Sequence, residues 1–167
     1  MGTPAPALKV REVIEPAVRA AGLVLEDVVV AAAGRRTVVR VVLDLDDDAI
    51  GGLDLDTVGE VSREISAALD VADPIRGVYT LEVSTPGTDR PLTELRHFRR
   101  ARTRLVRLVL TDGSTVEGRL VDADASAYVL ADHDGGERSI EPASVVRGHV
   151  EVELTRAHED EDEEEQD

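Results

Sequence analysis

Residues 79–92 read Tyr-Thr-Leu-Glu-Val-Ser-Thr-Pro-Gly-Thr-Asp-Arg-Pro-Leu, and the fold is decided there. Tyr79, Leu81 and Val83 alternate with Thr80, Glu82 and Ser84, the period of a half-buried strand. The strand cannot continue past Ser84. Pro86 and Pro91 lack a backbone N–H, and Gly87 admits positive φ, so Thr85 to Pro91 must turn. One unit is expected to end here and a second to begin.

Upstream, helical and strand periods interleave. Val10, Val13, Ile14, Ala17, Val18 and Ala21 fall on one helical face, with Gly22 as the stop and Pro16 as an expected kink or restart. Val-rich runs at 23–32 and 37–45 bracket Ala33-Gly34-Arg35-Arg36, a hairpin signal. Asp54 is placed to cap a helix carrying Val58, Val61, Ile65 and Leu69. Helix, strand, strand, helix, strand predicts a three-stranded sheet covered by two helices, with a parallel crossover into the strand at Tyr79.

Downstream the pattern is β alone. Runs at 103–111, 115–122, 127–131, 137–140 and 145–154 are separated by tight turns, with Gly118 as an expected bend or bulge. Five short strands in about fifty residues predict a small SH3-like (Sm-like) β-barrel. The fold class is therefore α+β, divided into an N-terminal domain at 1–86, a barrel domain at 87–155 and a disordered acidic tail at 156–167.

Composition narrows the chemistry. The 167 residues contain no cysteine, which excludes disulfides, thiol nucleophiles and cysteine zinc sites. Aromatic residues are only 2%, so the cores must be aliphatic. No apolar run reaches the length of a membrane span and the start lacks a secretory core, so a cytoplasmic protein without membrane contact is expected. The net charge of −16 is unevenly placed: Arg90, Arg96, Arg99, Arg100, Arg102, Arg104 and Arg107 face only Glu94 within 90–107. The local field there is opposite in sign to the whole.

Asp44, Asp46, Asp47 and Asp48, followed by Gly51-Gly52, resemble a calcium loop. The EF-hand template asks for Gly and Glu where Ala49 and Leu55 stand, so a solvated acidic loop is expected and no metal site. Ser84, His97 and Asp89 contain the elements of a triad, but no nucleophile elbow or oxyanion donor accompanies them. No catalytic residue and no cofactor is assigned. The junction residues Ser84, Thr85, Pro86, Gly87, Asp89 and Pro91 either cradle a phosphate through backbone N–H groups or brace the two domains. Asp89 and Arg90 can also pair with each other. Arg90, Arg96, Arg99, Arg100, Arg102 and Arg104 are the candidate RNA contacts, because a guanidinium donates two parallel hydrogen bonds to one phosphate. Arg96, Arg99 and Arg100 are expected on the exposed side of a short helical turn. The competing reading is that several of them only balance carboxylates such as Glu94 and Glu117. With three aromatic residues, base stacking is not the expected mode, and binding would be by shape and phosphate.

The stretch Leu81-Glu82-Val83-Ser84-Thr85-Pro86-Gly87-Thr88-Asp89-Arg90-Pro91-Leu92, followed by His97-Phe98-Arg99-Arg100, resembles the RimP family, bacterial factors for small-subunit maturation. Val61-Ser62-Arg63, Leu69-Asp70, Asp73-Pro74-Ile75, Ile14-Glu15-Pro16 and Gly22-Leu23 carry it further, over roughly residues 8–154. Thr88 departs from the Leu more usual in the family. The resemblance implies an α/β domain followed by an SH3-like barrel. It also implies a non-enzymatic assembly factor that binds the immature small ribosomal subunit near the decoding region. The expected partners are small-subunit rRNA and a basic small-subunit ribosomal protein, and the protein is expected to act as a monomer. The alternative is a protein-only interaction module that holds such a basic protein.

Overall fold

A computed structural model describes residues 5–87 and 89–153. The acidic tail expected at 156–167 lies outside the described residues. Helix α1 (Ala5–Ala20) buries Ala7, Val10, Ile14 and Val18, the stripe that the i, i+3, i+4 spacing marks. It closes where Gly22 takes φ 75°, with the Leu23 N–H donating to Val18 O at 3.1 Å. Pro16 neither stops nor restarts it: the helix runs through as one element. Pro16 and Glu12 are both exposed, so the carbonyl that the proline leaves without a donor faces water.

Strands β1 (Val24–Ala33) and β2 (Arg36–Asp44) form an antiparallel hairpin turning at Gly34, φ 64°. A register shift between Leu25 and Asp27 leaves Glu26 as an extra residue in β1. Helix α2 (Leu55–Ala72) starts at Asp54, whose Oδ1 accepts the Thr57 N–H at 2.7 Å. That bond holds the Asp54 carboxyl below its ordinary range. Strand β3 (Tyr79–Ser84) then pairs parallel to β2, Val39 opposite Leu81 and Val41 opposite Val83. Val39, Val41 and Leu43 meet Ile14, Ile65 and Leu69 in a fully buried aliphatic core. Each large side chain contributes roughly 1.5–3 kcal/mol by leaving water.

The second half holds a short helix α3 (Leu95–Arg100) and five strands: β4 (Leu105–Leu110), β5 (Thr115–Ala123), β6 (Tyr128–Ala131), β7 (Glu137–Ile140) and β8 (Val145–Val150). They form one antiparallel sheet in the order β7-β6-β5-β4-β8, with a 3-10 turn at Pro142–Ser144 before β8. The edge strands β7 and β8 do not pair with each other among the described residues, so the sheet is not a closed barrel. A bulge does occur in β5, but at Val121 rather than at Gly118. Gly118 serves close packing instead, since a Cβ there would lie 3.0 Å from Ala131 O and 3.1 Å from Leu130 Cβ. Phe98 of α3 stacks on Tyr128 at 4.2 Å between ring centroids, over a core of Val106, Leu108, Leu120 and Leu130.

Leu92 joins this half to its own end. Its N–H donates to Gly148 O at 2.7 Å, and its carbonyl accepts the Gly148 N–H at 2.8 Å. Gly148 is required there because a Cβ would sit 2.9 Å from both Leu108 Cδ2 and Phe98 Cε1.

Candidate nucleic-acid interface at the arginine seam

The arginine-rich segment meets the acidic loop across the line between the two halves. Loop 45–54 folds on itself first: Asp46 Oδ1 accepts the Asp48 N–H, and Asp46 O accepts the Ala49 N–H. This turn aims the carbonyls of Asp47, Ala49 and Gly51 at α3. Arg100 enters with Nη1 donating to Ala49 O at 2.6 Å, and Nη2 to Gly51 O and Asp44 Oδ1, each at 2.8 Å. Only 6% of the Arg100 side chain and 7% of that of Asp44 remain exposed. The Leu45 N–H gives Asp44 a second donor at 2.8 Å. Arg100 Nε is buried without a partner among the described residues.

Neighbouring arginines extend the contact. Arg99 pairs with Asp48 at 2.5 Å and donates to Ala123 O at 2.9 Å. Arg102 donates from Nε to Arg99 O and from Nη2 to Asp47 O, both carbonyls. On the other side of the junction, Arg90 and Arg96 both hold the largely buried Glu26 at the β1 bulge, at 3.1 and 3.2 Å. Arg96 also pairs with Glu94 at 3.0 Å, and Arg107 with Glu117 and Glu151. Arg104 is exposed and makes no side-chain hydrogen bond or ion pair among the described residues.

Two expectations are corrected by this geometry. Arg96, Arg99 and Arg100 do not share the exposed side of the helical turn: Arg99 and Arg100 face the acidic loop, and Arg96 holds the largely buried Glu26. Nor is that loop merely solvated, because Asp44 is buried and its neighbours present carbonyls to guanidinium groups. Glu26 and Asp44 were not singled out from sequence as anchors of the basic run. The available signal was the matching of an isolated acidic cluster to an isolated basic one.

The junction residues line the approach to this seam. Ser84 ends β3 exposed, Thr85 and Pro86 are half-buried, and Gly87, Asp89 and Pro91 are exposed. The Arg90 N–H donates to Gly87 O at 3.2 Å, closing the turn. Arg90 pairs with Glu26 rather than with Asp89. His97 lies beneath, its Nδ1 accepting the Thr93 and Glu94 N–H groups at 3.2 Å. Burial, then the positive charge of Arg90, pushes the imidazole below its ordinary pKa. Nδ1 is occupied by backbone donors and Glu94 Oε2 lies 3.8 Å from Nε2, so the ring is not arranged as the base of a triad with Ser84 and Asp89. Among the described residues no three His, Asp or Glu side chains converge as metal ligands. No described helix is long and apolar enough to cross a membrane. Between the halves lies an open cavity of about 270 Å³, lined by Thr85, Gly87, Arg90, Arg100, Arg102 and Arg104 among others.

A family model described as the RimP N-terminal domain matches residues 13–89. A protein of Kineococcus radiotolerans named Ribosome maturation factor RimP is 46% identical over 154 residues, covering 84% of this chain and 74% of the relative. A protein of Parafrankia sp. with the same name is 41% identical over 181 residues, covering 89% of this chain. Of that longer relative the chain spans 58%. With such identity running through both halves, the chain belongs to the RimP family.

Proposed function

We propose that this protein assists maturation of the small ribosomal subunit as a non-enzymatic, monomeric, cytoplasmic factor that docks on the immature particle through its rRNA. The observation that carries the reading is the seam. Five arginines, three of them on the acidic loop and two on Glu26, lock the α/β half to the β half, so that both present one surface to a large partner. Arg90, Arg96, Arg99 and Arg100 act as a brace, helped by the bonds of Arg102 to two carbonyls, and the part of the basic run left for rRNA is the unpaired charge of Arg102 and the rim at Arg104. Ser84 to Pro91 set the angle between the halves as interdomain junction. We read the five-stranded sheet as SH3-like, curled by the Val121 bulge and the 3-10 turn, with domains meeting near residue 86.

A second reading is favoured by α2. Asp56, Glu60 and Glu64 are exposed at four-residue spacing, and no ion pair involves α2 among the described residues. A stripe of unpaired carboxylates suits a basic ribosomal protein. Co-sedimentation with immature small subunits across a salt series separates the two. Wild type should sediment with immature particles, and an Arg104 variant should lose affinity with a shallower salt slope. Loss on neutralising Asp56, Glu60 and Glu64 instead supports the protein partner. Absence of wild type from the particle fraction would sink both readings.

A further inference from the structure

We propose that the cavity between the two halves is a phosphate-binding site, with Arg102 and Arg104 as its ligands, and that it takes a backbone phosphate of RNA. The inference rests on the rRNA reading above and narrows it from a surface to a pocket. The charge balance of the lining supports it. Arg100 is neutralised by Asp44, and Arg90 shares Glu26 with Arg96. Arg102 donates only to the carbonyls of Arg99 and Asp47, which satisfy its hydrogen bonds without cancelling its charge. Arg104 makes no side-chain hydrogen bond or ion pair among the described residues, and Glu153, the carboxylate that feels its charge, is itself paired with Arg119. Among the described residues Asp44 is the only carboxylate lining the cavity, against four arginines. In a chain of net charge −16, a concave surface with two guanidinium groups that have no ion-pair partner among the described residues concentrates anions.

The backbone between those two arginines supplies an independent observation. Thr103 has φ 76°, a left-handed conformation that a β-branched residue adopts at a cost of roughly 1–3 kcal/mol. It is held there by its N–H to Leu120 O at 2.7 Å and by Arg119 Nη1 donating to its carbonyl at 2.6 Å. The reversal at Thr103 brings Arg102, Thr103 and Arg104 onto the wall of one cavity. A guanidinium fork matches two oxygens of a phosphate, and two forks on one wall can hold it from two directions. About 270 Å³ leaves room for that group with several waters.

The test uses the full chain labelled with nitrogen-15, titrated with inorganic phosphate, with chloride at matched ionic strength, and with a short single-stranded oligoribonucleotide. The amide signals of Gly87 and Thr103 should move with phosphate and with the oligoribonucleotide, but not with chloride. Arg104→Ala, at an exposed position with no hydrogen-bonded or ion-paired side chain among the described residues, should keep the spectrum of a folded protein and weaken oligoribonucleotide binding about tenfold or more. Arg102→Ala should do the same, and the double variant should flatten the log–log salt slope by roughly 1.4. Response to inorganic phosphate without the oligoribonucleotide would keep the site and assign it to free phosphate. Unmoved Gly87 and Thr103 signals, or Arg104→Ala binding like wild type, would overturn it. Co-sedimentation of wild type with immature subunits is read separately, so failure of the cavity and failure of the assembly role are distinguishable.

Discussion

Arg100→Ala is the most demanding test of the seam. The substitution removes a side chain that is 6% exposed and makes three hydrogen bonds, one of them charge-paired. What it leaves behind matters more than what it removes. Asp44, with 7% of its side chain exposed, would keep only the Leu45 N–H as a donor and would remain a buried anion without a counter-charge. Breaking a buried pair from one side costs about 3–5 kcal/mol. In a chain of this size that lowers the melting temperature by roughly 6–20 °C. Arg99→Ala is the internal control. Its partner Asp48 is 83% exposed, and such a pair is worth about 0–1 kcal/mol. Urea titration followed by circular dichroism gives both losses. Asp44→Asn added to Arg100→Ala should recover part of the stability, because the stranded charge is gone. If Arg100→Ala costs no more than Arg99→Ala, the pair is not a buried anchor and the brace reasoning fails.

Three further outcomes follow from the same packing. Gly148→Ala should lower stability by about 1–3 kcal/mol in a urea titration, since its methyl would press on the buried Leu108 and Phe98. The folded-state pKa of His97 is depressed, so its stabilising effect is present above the ordinary value of 6.5 and is lost as pH falls below it. Melting temperatures between pH 7.5 and 5.5 should therefore drop more steeply for wild type than for His97→Gln, and parallel curves would contradict this. Limited digestion with proteinase K, which cuts after many residue types, should spare the turn around Arg90, because that residue is tied to Glu26 and its N–H is bonded to Gly87 O. Early cleavage there would mean a loose tether.

Much of the backbone was legible because local chemistry dictates it. Asp54 caps α2 by a bond three residues long, and Gly22 ends α1 by adopting a φ that other residues resist. The alternation at Tyr79 to Ser84 and the helical crossover before it led directly to the parallel β2–β3 pairing. The site was less legible because its contacts span the chain. Arg100 and Asp44 are 56 positions apart, and no spacing rule links them. A basic run without nearby acids reads as a free cationic surface until the fold brings an acidic loop against it. The β5 bulge was missed for another reason: Gly118 signals either a bulge or a close approach, and here Leu130 and Ala131 occupy the space.

The Leu92–Gly148 bridge has a consequence for the order in which the molecule forms. All elements of the first sheet exist once Ser84 has been synthesised, and its core draws on no residue beyond Ile75 except the flanking Tyr79, Leu81 and Val83. The second half needs β8, which pairs with both β4 and Leu92. A chain emerging from its N-terminus can therefore complete one half early and must wait for Val150 to complete the other. During that interval Asp44 and Glu26 are already in place, and the guanidinium groups that will cover them arrive before their own sheet has closed. The acidic loop can then act as a template on which α3 docks, with the last strand sealing the arrangement from behind.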